Sequence, residues 1–156
     1  MSAFVLSRLD FCSSLLSGCQ KHLLEQLQKV QNSAARLVLK AHKRDHVSDL
    51  RTFHWLPIQA RIEYKLSTLR HSFSDTAPAY LSDLLHVYSP SRQIRSASDS
   101  RTLRIPHIKT KTFGHRSYSY AAPSVWNSLP REIRHNQSTT AFKTAPKTHI
   151  FRSYFC

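Results

Sequence analysis

Glycine is scarce in this chain, and so are acids and cysteines. Only Gly18 and Gly114 occur in 156 residues. That excludes a glycine-rich loop in which successive backbone N–H groups cradle a phosphate. The nine carboxylates are Asp10, Glu25, Asp45, Asp49, Glu63, Asp75, Asp83, Asp99 and Glu132, and no two are adjacent. Two-metal phosphoryl transfer needs carboxylates held close together. The best-spaced pair, Asp45 and Asp49, lies beside Arg44 and Arg51 and reads as a salt-bridged helix face. Cys12, Cys19 and Cys156 are an odd number, unsuited to a disulfide framework, and none has the flanking residues of a catalytic thiol. No apolar run approaches the ~20 residues of a membrane span. The apolar start is broken at Arg8 and Asp10, before a signal-peptide core forms. The expected setting is therefore intracellular, cytoplasmic or nuclear, with no membrane partner and no secretion.

Ten histidines invite a metal reading. His42 and His46 have the four-residue spacing that puts two ligands on one helix face. Between them stand Lys43, Arg44 and Asp45, so the general-base glutamate is missing and two cations repel a metal ion. Serine has no nucleophile elbow around it. The expectation is no catalytic residue, no metal, no cofactor and no small-molecule substrate.

Base, by contrast, is abundant. Lys and Arg number 23 against nine acids, a formal charge of +14 with a sequence pI near 10.3. The excess is uneven. Residues 1–83 hold 11 Lys and Arg and seven acids, whereas residues 84–156 hold 12 and only two, Asp99 and Glu132. A net +10 on the second half attracts polyanions, which makes RNA or DNA the expected partner.

The pattern predicts a mostly α chain, with a helical N-terminal half and a smaller α+β or irregular basic C-terminal half. Three segments follow: helical 1–86, a Ser/Arg-rich linker at 87–101, and a basic segment at 102–156. Residues 3–16 form a short apolar stretch stopped by Gly18. From Gln20 to Ala41, Leu23, Leu24, Leu27, Val30, Ala34, Leu37, Val38 and Ala41 recur at three- and four-residue steps. That stripe is expected to pack inward, with Glu25, Gln28, Lys29, Gln31 and Asn32 wet. A short helix is expected from Val47 to Phe53. Pro57 is placed to open another, along which Ile58, Ile62, Leu66, Leu69 and Phe73 make a second stripe. A further short helix is expected from Ala77 to Leu85.

Beyond the linker, TLRIPHI (102–108) alternates like a short strand, which Pro106 demotes to an edge or to irregular structure. A second extended piece is expected from Thr110 to Phe113, turning at Gly114. Residues 117–128 read as partly helical, Pro130 opens PREIRH, and Ser138 is placed to cap TTAFK. Trp55 and Trp126 sit among Leu and Pro and are assigned to packing.

Cations and aromatics interleave in RTLRIPHIKTKTFGHRSYSY. Cations meet phosphates while aromatic faces stack on unpaired bases. The candidate phosphate contacts are Arg92, Arg95, Arg101, Arg104, Lys109, Lys111 and Arg116, and the candidate stacking residues are Phe113, Tyr118 and Tyr120. A basic segment whose aromatics pack inward would show the same pattern.

Seven phrases carry a resemblance along nearly the whole chain: SRLDFCSSLLSG (7–18), LQKVQNSAARLV (27–38), HWLPIQARIEYK (54–65), APAYLSDLL (77–85), YSPSRQIRS (88–96), KTFGHRSYSYAAPSVWNSLPREIR (111–134) and FKTAPKTHIF (142–151). In that order they resemble the region downstream of the polymerase palm and thumb in LINE-type (non-LTR) retrotransposon reverse transcriptases, of the jockey and chicken-repeat kind. The resemblance implies a thumb-like or post-polymerase segment over 1–86 and contact with template RNA or target DNA. It carries no active site with it, because the family's aromatic-x-Asp-Asp signature does not occur in this sequence. Pro146 departs from the pattern, falling inside the last expected helix, where a proline typically costs ~3 kcal/mol. The expected function is that of a non-catalytic nucleic-acid-binding fragment of such an RNA-directed DNA polymerase. Two alternatives stand beside it: a degenerate element relic without selected activity, and an accessory module acting in trans with a polymerase.

Overall fold

The computed structural model describes residues 2–40, 53–72, 80, 83–90, 101–136 and 138–155. These form α1 (Ser2–Asp10), a 3-10 turn (Ser13–Leu16), α2 (Lys21–Leu39), α3 (Ile58–Ser72), α4 (Lys111–Gly114), α5 (Tyr118–Ser128), α6 (Arg131–Arg134) and α7 (Thr139–Phe155). The fold is mostly α. The expected helices over 47–53 and 77–85 fall largely outside the described residues.

Helix α3 holds the rest together, packing against α7, α5, α2 and the 3-10 turn. The first three residues of its stripe pack as expected: Ile58, Ile62 and Leu66 are buried against Ala121 and Ala122 of α5, with Leu9, Leu16, Leu24 and Leu27 around them, while Leu69 is half-buried and Phe73 lies outside the described residues. Each such aliphatic side chain contributes about 1.5–3 kcal/mol on full burial. The neighbouring face of α3 presents Ala60 and Tyr64 to Ile150 and Phe151 of α7. Segments on both sides of the Ser/Arg-rich stretch thus share one core. The helix begins one residue later than expected, with the Pro57 carbonyl accepting the Arg61 N–H at 2.9 Å. Arg61 in turn grips Asp10 at the end of α1, through Nε to Oδ1 at 2.8 Å and Nη2 to Oδ2 at 2.6 Å.

Helix α2 is where expected, rich in Leu, Ala, Gln and Lys, which favour helix. Its buried face is the expected one only in part: Leu24 and Leu27 pack on the α3 core, but the rest of the buried face is shifted. Gln31 and Ala35 are fully buried, whereas Leu23, Val30, Leu37 and Val38 are exposed. The side chains of Gln28 and Gln31 explain this, since both hydrogen-bond to backbone at the start of α3.

In the second half the structure takes the irregular alternative at one place and departs from expectation at another. No strand forms over 102–108 among the described residues. Val87 and Leu103 make an isolated antiparallel bridge, flanked by Tyr88 N–H to Thr102 O at 2.9 Å and Arg104 N–H to His86 O at 2.8 Å. The other edge of Leu103 is taken by one side chain: Asn127 accepts the Leu103 N–H at 3.0 Å and donates to its carbonyl at 2.8 Å. Pro106, lacking an N–H, gives no further rung. The expected extended piece from Thr110 to Phe113 is a helical turn, α4, closed by Gly114 N–H to Thr110 O at 3.0 Å.

Helices α5 and α6 match the expected segments, and α7 runs through Pro146. Pro146 and Pro123 are both fully buried, so ring packing offsets the lost helical bond. Ser138 precedes α7 with its carbonyl accepting Phe142 N–H at 2.8 Å and its hydroxyl at a long 3.5 Å from Ala141 N. Both tryptophans pack. Trp126 stacks on Phe142 at 5.6 Å beside Leu103 and Leu129, and Trp55 packs with Ala35, Leu6, Phe53 and Phe155.

Candidate nucleic-acid interface

The basic segment is fixed to the helices at both ends. At its start, Trp126 Nε1 donates to the Arg101 carbonyl at 2.7 Å, and Arg101 Nη1 donates to the Arg134 carbonyl at 2.9 Å. Arg134 Nη1 completes the knot on Thr102 Oγ1 at 3.2 Å. Arg101 thereby serves the scaffold, with part of its guanidinium already engaged.

The far end is set by the two glycines. A Cβ on Gly114 would stand 2.9 Å from Ile108 Cβ, closer than carbon atoms pack, so only glycine lets the 104–109 stretch lie against α4. A Cβ on Gly18 would meet Arg116 Cγ at 3.0 Å, and Gly18 has φ +70, a conformation favouring glycine. The Arg116 stem therefore lies on the turn that ends the N-terminal apolar stretch. Ser117 then starts α5, its carbonyl accepting Ala121 N–H at 2.9 Å, while its hydroxyl donates back to the Gly114 carbonyl at 2.7 Å.

Between these anchors the candidate residues separate. Arg104, Lys109 and Arg116 are exposed and make no ion pair among the described residues. Phe113, on the α4 turn between Lys109 and Arg116 in sequence, is 76% exposed. Tyr120 is half-buried, with its ring stacked on the exposed His115 at 4.6 Å and 1° between planes. Tyr118 packs into the α3–α5 core. Lys111 belongs to α4, but its side chain, like Arg92 and Arg95 entirely, lies outside the described residues.

Sequence reasoning missed His115. Its signal was the five-residue step to Tyr120, which pairs the two rings only because the chain turns at Ser117. The arrangement offers three cations without an ion pair among the described residues, one bare aromatic face and one stacked ring pair. That suits a flexible anionic strand whose bases are free to stack.

Among the described residues no three His, Cys, Asp or Glu side chains come together to hold a metal ion. His42 and His46 lie outside them. No described helix is long and apolar enough to cross a membrane. No protein family, no curated protein and no solved structure matches this chain.

Proposed function

We propose that this chain is a non-catalytic nucleic-acid-binding fragment of a LINE-type reverse transcriptase, working inside the cell. It holds single-stranded template RNA or target DNA through phosphate contacts from Arg104, Lys109 and Arg116, with Phe113 stacking on a base. The observation that carries this reading is the bare Phe113 ring, 76% exposed, on a segment where Arg104, Lys109 and Arg116 make no ion pair among the described residues. An aromatic ring left in water costs solubility, whereas base stacking regains about 1–3 kcal/mol. The ordered run of family phrases supports the assignment to a polymerase tail.

Fluorescence anisotropy with labelled single-stranded RNA and DNA across a salt series tests the reading. Affinity should fall log-linearly with salt and collapse in Arg104→Glu/Lys109→Glu/Arg116→Glu, as counterion release requires. Absence of binding at low salt overturns it.

A further inference from the structure

A cavity of about 380 Å³ opens where α1, the residues before α3, α3 itself and α7 meet. Its lining carries an apolar and aromatic patch of Leu6, Phe53 and Trp55, with the last two rings 5.2 Å apart and tilted by 32°. The lining is also cationic. Lys65 from α3 and Lys147 from α7 are both exposed there and make no ion pair among the described residues.

The one carboxylate in the lining is already engaged. Asp10 receives both oxygens' bonds from Arg61, at 2.8 and 2.6 Å, so the pair is neutral and leaves the two lysine charges uncancelled. Tyr64, also in the lining, donates its hydroxyl to the Lys143 carbonyl at 3.2 Å. Burial, and then the Asp10 charge, raise its pKa, so it remains a neutral phenol. His54 stands at the rim in a left-handed backbone conformation, φ 51, seldom adopted by residues with a side chain, and its ring lies 5.5 Å from Phe151.

We propose that this cavity binds a nucleoside monophosphate, either free or as the phosphorylated end of a strand. Two uncompensated ammonium groups match the charge of a phosphate monoester, about −1.5 to −2 at neutral pH. The aromatic patch matches the face of a base. Inorganic phosphate leaves the aromatic patch unused, and an apolar ligand leaves the lysines unanswered. The volume is in the range of small-ligand sites. None of the lining residues belongs to the 104–120 surface, so the proposal stands apart from the reading of that surface.

Calorimetric titration of the full chain with adenosine 5′-monophosphate, adenosine and inorganic phosphate tests it. The monophosphate should saturate a single site, with the other two binding weaker by about tenfold or more. Lys65→Gln/Lys147→Gln should weaken the monophosphate by about tenfold or more, and the charge-keeping Lys65→Arg/Lys147→Arg should retain it. Arg104→Glu/Lys109→Glu/Arg116→Glu should leave it unchanged, which separates this cavity from the single-strand surface. A 5′-phosphorylated oligonucleotide that outbinds its 5′-hydroxyl twin assigns the cavity to strand ends, and equal binding assigns it to free nucleotide. No saturable binding of the monophosphate by about 5 mM, or binding indifferent to the loss of both lysines, overturns the proposal.

Discussion

The Gln28 side-chain carbonyl accepts the Ile58 backbone N–H at 2.9 Å, so α2 caps the first turn of α3. The Gln28 amide nitrogen holds its neighbours in place, donating to Gln31 Oε1 at 3.1 Å and Asn32 Oδ1 at 2.8 Å. Gln31 Nε2 then donates to the Leu56 carbonyl at 2.8 Å. Burying amides is tolerated because these backbone groups would otherwise lack partners. Gln28 and Gln31 thus meet the start of α3 beside Leu24 and Leu27, which pack on its apolar stripe.

Gln31→Leu should therefore destabilise the chain by about 1–3 kcal/mol, leaving the Leu56 carbonyl buried without a donor. Val30→Ala, on the exposed stripe, should stay within about 0.5 kcal/mol. Urea unfolding of the two variants decides between the faces. The opposite ranking would mean that Val30, and not Gln31, faces the core.

Asn127 does for Leu103 what a neighbouring strand would do, accepting its N–H and donating to its carbonyl. Leu103 is 1% exposed, so Asn127→Ala strands both groups away from water and should cost about 1–3 kcal/mol. The same substitution should weaken single-strand binding, because it frees the stretch that carries Arg104 and Lys109. Denaturation and anisotropy on one sample check both effects, and unchanged affinity would detach this anchor from the interface.

The α3 stripe was legible in the sequence because Ile58, Ile62 and Leu66 pack on aliphatic partners, and periodicity reports that kind of burial. The α2 face was not, because hydropathy places a glutamine outside, and only the position of Leu56 and Ile58 in space makes Gln31 a core residue. Over 102–108 the sequence left edge strand and irregular structure open for a related reason. Alternation there reflects a real one-sided burial of Leu103, but backbone pairing stops at the single Val87–Leu103 bridge, and the other edge is closed by a side chain 24 residues away. In the basic stretch, charge and aromatics marked residues that the fold leaves partly exposed, Arg104, Lys109, Phe113 and Arg116 among them. Which aromatics face water was settled by α5, whose first turn draws Tyr118 into the core and leaves Phe113 outside.

Two tyrosines predict a loss of stability in alkali. Burial, then the Glu63 charge and the 3.0 Å hydrogen bond to Glu63, raise the Tyr154 pKa above the ordinary 10.0, and burial and Asp10 raise that of Tyr64. The folded chain keeps both phenols protonated where the unfolded chain loses them. Their contribution is therefore complete below about pH 10 and declines as pH rises beyond it. Thermal melts from neutral pH upward should show a steeper alkaline decline for the parent than for Tyr64→Phe/Tyr154→Phe. Parallel curves would remove the phenols as the cause.

Phe113 and Arg104 should fail in different ways, because stacking and phosphate contact respond differently to salt. Arg104→Ala removes one phosphate contact, so the slope of log affinity against log salt should shrink by about 0.7 on a single strand. Phe113→Ala leaves the ion count unchanged, so the slope should hold while affinity falls by about 1–3 kcal/mol at every salt concentration. The loss should appear with single strands and be small with duplex, whose bases are already stacked. A salt series on the two variants with both ligands reads slope and offset separately. If Phe113→Ala binds as the parent does, the exposed ring takes no part, and the surface is an electrostatic one alone.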